Sequence, residues 1–455
     1  MTGFFTLIFN WLQARPPLRL REKVWTETEF HGLLGKLGVQ RLREVEVLLP
    51  TSRYFSTIDF STSDDIQQLL KEVGQHLGMK TDHIEFHFES EGANFKPCVI
   101  EQKNTYIEIP SLLLEDAESM IALFIRELNR DYLIRNDWLQ GDEINHHGVV
   151  DLCTVLVGGG VFSANTSLKE RNRVDGSLEV WEMWKQAHSP ARIFGYALAL
   201  FSVIRDERKP LWSSYLTPDA QQAWKQGRRF LLKSSDCVFN IHNPTAPLAI
   251  GVTAVANRLR QAEPSIRLHA LWTLMQYGDD AQQVLGSIEP LLDDPDSVVR
   301  NTAIDLIGHL GIASAAGKLR IVELIDDRDS EIAASAINAA ASLRIPMYEK
   351  MEKDRSFADA LLWLLQSDAT PAMLVSIARA MMIYGVEAEF LAKPLLPALR
   401  NSLVRCESDT ISMILQALNA TVPDLRQYLE QAFESDPDLL APIRADIDEL
   451  GSAND

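Results

Sequence analysis

Towards the C-terminus, turn residues, an apolar anchor and a small residue recur in the same order. Pro264-Ser-Ile-Arg-Leu-His-Ala270, Asp296-Ser-Val-Val-Arg-Asn-Thr-Ala303 and Asp329-Ser-Glu-Ile-Ala-Ala-Ser-Ala336 place Ile266, Val299 and Ile332 at successive intervals of 33 residues, and Ala270, Ala303 and Ala336 at the same interval. A fixed period of this length predicts stacked supersecondary units, each hiding an apolar face against the next. An earlier amphipathic helix is predicted in each unit, as at Val284-Leu-Gly-Ser-Ile-Glu-Pro-Leu-Leu292 and Leu319-Arg-Ile-Val-Glu-Leu-Ile325. The acidic turns Asp293-Asp-Pro-Asp296 and Asp326-Asp-Arg-Asp329 supply side-chain oxygens to cap the helix that follows. The alanines are expected to allow close approach inside each helix pair.

Further along, Asp368 to Tyr384, Glu407 to Ala420 and Asp436 to Leu450 have the character of second helices at longer, less regular spacing. The pattern predicts about six helix pairs, the last of them an acidic, polar cap. The stretch Asp293-Asp-Pro-Asp-Ser-Val-Val-Arg-Asn-Thr-Ala-Ile-Asp-Leu-Ile-Gly-His-Leu-Gly311 resembles HEAT repeats, in the short bacterial form also seen in phycobilisome lyase-like proteins. That resemblance implies a superhelical solenoid that binds proteins. It also leaves open, by analogy alone, a lyase or chaperone-like role towards a chromophore or cofactor.

Upstream the periodicity changes. His83-Ile-Glu-Phe-His-Phe-Glu89 and Thr105-Tyr-Ile-Glu-Ile109 alternate polar and apolar residues and are predicted strands, with His83 and His87 on the solvated face. Glu115 to Ile134 is a predicted long amphipathic helix, and Thr217-Pro-Asp opens another, with Thr217 as N-cap. Asn243-Pro-Thr-Ala-Pro247 breaks the chain before the repeats. The fold expected is therefore an α+β domain over residues 1–242, a Pro-containing linker at 243–250 and an all-α HEAT-like solenoid over 251–455. Seven of the nine tryptophans precede the linker, which suits a bulky globular core.

Composition adds partners and compartment. Of the formal charge of −19, residues 251–455 carry −14, leaving −5 for residues 1–250. Such an acidic surface repels phosphate backbones, so protein partners with basic or neutral surfaces are expected and nucleic acid is not. Cys98, Cys153, Cys237 and Cys406 are far apart and form no CxxC; they read as buried thiols of a reducing, cytoplasmic protein. Gly3 to Leu12 is apolar, but it is too short to span a bilayer and lacks basic residues before it or a small-residue cleavage site after it. With Arg15, Arg19, Arg21 and Lys23 behind it, this segment either packs on its own domain or lies on an anionic membrane surface.

One constellation has the order of a catalytic site. The segment from Thr105 to Thr166 resembles the core of zincin-type metallopeptidases, in which a helix carries HExxH and a second helix supplies a further ligand. Here the motif stretch is Ile125-Arg-Glu-Leu-Asn-Arg130, with Glu127 at the general-base position and Arg126 and Arg130 at the positions of the zinc-binding histidines. His147-Gly-Val-Val-Asp151 falls where the acidic ligand motif would be, and Thr154 to Asn165 resembles the glycine-containing helix packed against the motif helix. A guanidinium has no lone pair for a metal, so the resemblance implies a degenerate zincin, without catalytic residues or cofactor.

On that reading Arg126 and Arg130 neutralise Glu127, Asp131 or Asp151, replacing the lost dication. The alternatives are a solvated helix face with ordinary charge pairs, or a retained metal site built from His146, His147 and a carboxylate, which would keep a metal-dependent peptidase or another hydrolase in play. Gly158-Gly-Gly160 lacks the residues of a phosphate cradle, so tight helix packing is its expected role; no GxSxG occurs, and His269 and His309 read as structural. The function these features favour is a non-catalytic protein-binding scaffold or adaptor.

Overall fold

The computed structural model describes residues 14–55, 62–88, 98–101, 104–110, 113–114, 116–139, 143–167, 169–175, 178–184, 189–350, 355–367 and 369–452. The apolar segment Gly3 to Leu12 lies outside them. The chain divides into two compact units, Met1–Leu248 and Ala249–Asp455.

In the first unit, α1 (Leu20–Leu37) and α2 (Val39–Glu44) lead to α3 (Ser63–Leu77), whose first turn is closed by a reciprocal cap between Thr62 and Asp65. A mixed sheet follows: β1 (Ile84–Phe88) runs parallel to the central β3 (Asn104–Ile109), and β2 (Cys98–Glu101) pairs with β3 antiparallel. Thr105, Ile107 and Ile109 are the buried face of β3, as period two requires.

Helix α4 (Ala117–Arg135) begins at Asp116, whose carboxylate accepts the Ser119 N–H at 3.1 Å. It is not the half-solvated helix that its sequence suggests. Ser119 to Asn129 are buried without interruption, because α3, α5 (Glu143–Leu156) and α6 (Gly160–Asn165) pack around it. His146 and His147 belong to α5.

The segment expected as one glycine-containing helix is two, α5 and α6, broken at Gly158 and Gly159. Gly158 has φ +90°, and a side chain there would collide with the Glu46 carbonyl. A Cβ on Gly159 would lie 2.5 Å from Ile125 Cγ2, so the glycine lets α4 approach the turn. After the hairpin β4 (Lys169–Asp175) and β5 (Leu178–Trp184), helices α7 (Ala191–Ile204) and α8 (Pro218–Leu231) pack closely. Gly195 faces Ala223, and Gly227 faces Tyr196.

The second unit is an all-helical repeat array. Its pairs are α9 (Val252–Arg258) with α10 (Pro264–Gln276), α11 (Leu285–Ile288) with α12 (Ser297–Leu310), and α13 (Ala315–Leu324) with α14 (Ser330–Ser342). Then come α15 (Phe357–Gln366) with α16 (Pro371–Tyr384), α17 (Ala392–Arg405) with α18 (Ser408–Thr421), and α19 (Leu425–Ala432) with α20 (Arg444–Ser452).

Successive second helices pack on one another from α10 to α20, forming a continuous layer. Ala270, Ala303 and Ala336 are wholly buried, as are Val299 and Ile332; each Val or Ile so placed contributes about 1.5–3 kcal/mol. Ile266 is only half-buried, since the first pair has a neighbouring pair within the array on one side alone. Small residues close gaps between pairs. Gly308 on α12 would place a Cβ 3.0 Å from Ala339 Cα on α14.

The acidic turns work as predicted. Asp296 accepts the N–H groups of Val298 and Val299, Asp329 accepts that of Glu331, and in the same turns Asp294 and Asp327 accept those of Asp296 and Asp329. Arg267 ties the first pair to the second through a bidentate contact with Asp294, at 2.6 and 2.8 Å. The predicted helix Val284–Leu292 is instead a 3-10 turn, the short α11 and a second 3-10 turn. Pro290 removes a donor that a continuous helix would need.

Candidate functional site

The candidate site lies between α4 and α5, where Arg126, Glu127, Arg130, His147 and Asp151 meet. Residues 126, 127 and 130 share one side of α4 by helical spacing, and residues 147 and 151 are one turn apart on α5. Arg126 Nη1 donates to Glu127 Oε1 at 2.6 Å, and its Nε donates to Asp151 Oδ1 at 3.0 Å. Arg130 Nε approaches Glu127 Oε2 at 2.9 Å, off the line of a hydrogen bond. The other Asp151 oxygen accepts the Ser189 N–H at 2.8 Å.

Both guanidinium groups also turn an Nη2 towards His147 Nδ1, each at 3.1 Å. Guanidinium nitrogens only donate, so Nδ1 presents its lone pair and the ring proton sits on Nε2. Among the described residues, with His147 neutral, two arginine cations meet the two carboxylates of Glu127 and Asp151. Burial on its own lowers the Arg126 pKa, but the adjacent Glu127 and Asp151 carboxylates outweigh it and raise the pKa above the ordinary arginine value.

The solvated-face alternative is therefore corrected: Glu127 is completely buried and Arg126 is 4% exposed. Of the metal alternative built on His146 and His147, the structure describes one half: His147 Nδ1 accepts from two arginines, and the His146 side chain lies outside the described residues. Among the described residues, no three or more His, Cys, Asp and Glu side chains are grouped to hold a metal ion. The donor set does not fit zinc, because the α4 positions nearest the carboxylates carry groups that cannot ligate.

No protein-family model matches this sequence, and no curated protein matches it. Among solved structures the chain is similar to a designed armadillo repeat protein, at 18% identity and a TM-score of 0.31, over 45% of this chain and 98% of that one.

Asp131, expected as a partner of Arg126 or Arg130, points elsewhere. It accepts from Thr105 Oγ1 at 2.5 Å and Arg135 Nε at 2.7 Å, and it lies 2.8 Å from His83 Nε2. This cluster ties β3 and the residue before β1 to α4, so His83 is not on a solvated face. His87, in contrast, is exposed and stacks on Tyr106.

The sequence reading also missed a second buried network, around Lys23 and Glu27. Lys23 Nζ lies 3.0 Å from Glu27 Oε1 and donates to the Asp236 carbonyl at 2.6 Å, while Glu27 accepts from the Tyr196 hydroxyl at 2.6 Å and the Val238 N–H at 2.9 Å. Burial foremost, with Glu27 beside it, pushes the Tyr196 pKa well above its ordinary value. An i,i+4 Lys–Glu pair was the available signal, but such pairs are usually surface features.

The cysteines divide. Cys153 and Cys237 are buried, and burial pushes Cys153 up to about 12. Cys406, expected inside, is exposed in the left-handed conformation that ends α17, with φ +56°.

Proposed function

We propose that the protein is a non-catalytic, protein-binding scaffold: a HEAT-like array joined to a domain of degenerate zincin type. The observation that carries this reading is the Arg126 guanidinium held between Glu127, Asp151 and His147, at the place where the resemblance calls for a metal. The order of elements supports the ancestry, with a mixed sheet, a helix bearing Glu127 and a second helix bearing His147 and Asp151. A fixed cation network has taken over the balancing of charge. Catalysis through a metal-bound water has no ligand set on α4 to support it.

The second helices pack on one another in a continuous stack, which leaves the connecting turns at the edges of the array. That arrangement suits recognition of macromolecules. The net charge of residues 251–455 favours partners with basic or neutral surfaces.

Two measurements test the reading. Full-length protein equilibrated with zinc and dialysed is expected to hold no stoichiometric metal; stoichiometric zinc that disappears in His147→Ala would overturn the degenerate-site half. Cross-linking in the native cell followed by mass spectrometry is expected to join the array reproducibly to another protein. Cross-links confined to the chain itself would remove the scaffold half.

A further inference from the structure

The turns that join successive pairs near the end of the array form an open groove of about 720 Å³. Its apolar side is Tyr348, Val386 and Phe390. Tyr348 is 63% exposed and Val386 is 76% exposed, and both line the same groove beside Phe390 rather than standing singly. The Tyr348 hydroxyl donates to the Glu387 carbonyl at 3.0 Å, and its ring lies 5.5 Å from that of Phe390, so the aromatic surface is held in place.

The polar side is acidic. Glu387, Glu389 and Asp424 are exposed around the groove, against a single lysine, Lys393. Neither Glu387 nor Glu389 forms an ion pair among the described residues. The Tyr428 hydroxyl, also in the lining, is shielded from solvent and has no hydrogen-bond partner among the described residues. Unmatched carboxylates beside exposed aromatic and aliphatic surface attract a cation carried on an apolar stem. Its charge pairs with the glutamates, and its stem or guanidinium plane lies on Tyr348 and Phe390.

We propose that this groove binds an extended peptide segment in which arginine or lysine alternates with aliphatic residues. The assignment rests on the scaffold reading and gives it a place and a partner chemistry. The volume lies within the range of about 300–1,000 Å³ usual for ligand clefts. Charge complementarity selects a basic segment over an acidic one.

Fluorescence anisotropy of a short fluorescein-labelled peptide of alternating arginine and leucine, titrated with the full-length chain, tests this. The peptide is expected to bind, with affinity falling as salt rises, and its glutamate–leucine counterpart is expected not to bind. The double substitution E387K/E389K should weaken binding at least about tenfold, and Tyr348→Ala should weaken it independently. Reversal of an exposed acidic pair at the other end of the array, D279K/D280K, should leave binding unchanged.

All of these side chains are at the surface, and unchanged thermal unfolding of each variant verifies that the fold is retained. Equal binding of the two peptides, no effect of E387K/E389K, or equal loss with D279K/D280K would overturn the groove assignment, as would an all-arginine peptide that binds equally well to Tyr348→Ala. Absence of binding by the arginine–leucine peptide would also overturn it. The cross-linking result would still decide the scaffold reading separately.

Discussion

Arg126 and Asp151 stand on successive helices, with the guanidinium Nε 3.0 Å from one carboxylate oxygen while the other oxygen accepts the Ser189 N–H. Arg126 thus connects α4, α5 and the start of the α7 segment through one buried carboxylate. It also covers Glu127, which has no exposed surface.

Arg126→Met is therefore expected to destabilise the first unit by about 3–5 kcal/mol, the usual result of leaving a buried charge without its partner. Arg126→Met combined with Asp151→Asn should recover part of that loss, giving a coupling above about 1 kcal/mol in a double-mutant cycle. Urea unfolding followed by tryptophan fluorescence reads the first unit preferentially, because seven of the nine tryptophans precede residue 243. Additive losses would mean that Arg126 and Asp151 do not act as a pair.

The thiols give a prediction with a pH sign. Burial raises the Cys153 pKa from 9.0 to about 12. Below the lower value the thiol is protonated in both folded and unfolded chains, so it adds no pH dependence there. Between the two values the unfolded thiol ionises and the folded one does not, so the unfolded state holds fewer protons and stability falls as pH rises. Cys153→Val should flatten that alkaline decline, as measured by urea unfolding across the window. In native protein at about pH 8, iodoacetamide should modify Cys406 and spare Cys153 and Cys237, with the sites identified by mass spectrometry. Labelling of Cys153 as fast as Cys406 would contradict its burial.

Gly158 and Gly78 separate two penalties that a glycine can hide. Both have positive φ, +90° and +67°, but a Cβ at Gly158 meets the Glu46 carbonyl whereas one at Gly78 meets nothing within 4 Å. Gly78→Ala is expected to cost about 1 kcal/mol, the strain of the left-handed conformation alone. Gly158→Ala adds a backbone collision and should cost roughly 3 kcal/mol or more, since the hydrogen bond from Leu48 N–H to the Gly158 carbonyl must shift as well. Equal thermal shifts for the two variants would show that the turn relaxes freely.

How far the sequence disclosed these features depended on what kind of regularity each has. The array was legible because its units repeat. Asp296 and Asp329 cap successive helices in the same way, and Ala303 and Ala336 occupy the same buried position. The short α11 was not, because Pro290 interrupts a pattern whose apolar spacing is still helical. In the first unit, α7 is apolar around nearly its whole circumference, with Ile193 to Ser202 buried without a break, so periodicity assigns it no face. Arg126, Glu127, His147 and Asp151 could be brought together by motif order. The burial of Lys23 and Glu27 and the contact of His83 with Asp131 could not, because a polar side chain carries no mark in the sequence of the partner that will meet it.

Motif order itself can be tested by restoring what the zincin resemblance lacks. In Ile125-Arg-Glu-Leu-Asn-Arg130, the substitutions R126H and R130H together complete HExxH around Glu127 on α4. The two new imidazoles would be one turn apart on a face that already meets His147 and Asp151. Removing both guanidiniums takes two donors away from His147 Nδ1 and leaves the carboxylates of Glu127 and Asp151 in need of a cation. A dication supplies it, provided that the α4–α5 geometry descends from a zinc site. The double variant is therefore expected to bind zinc stoichiometrically and to unfold at a higher temperature with zinc than without it, while the parent chain is unmoved. Asp151→Asn in that background should weaken zinc binding if the α5 carboxylate completes the tetrahedron. A double variant that folds yet takes up no zinc would show that α4 and α5 only share the order of a zincin, and the ancestry proposed for the first unit would fall while the binding array stood unaffected.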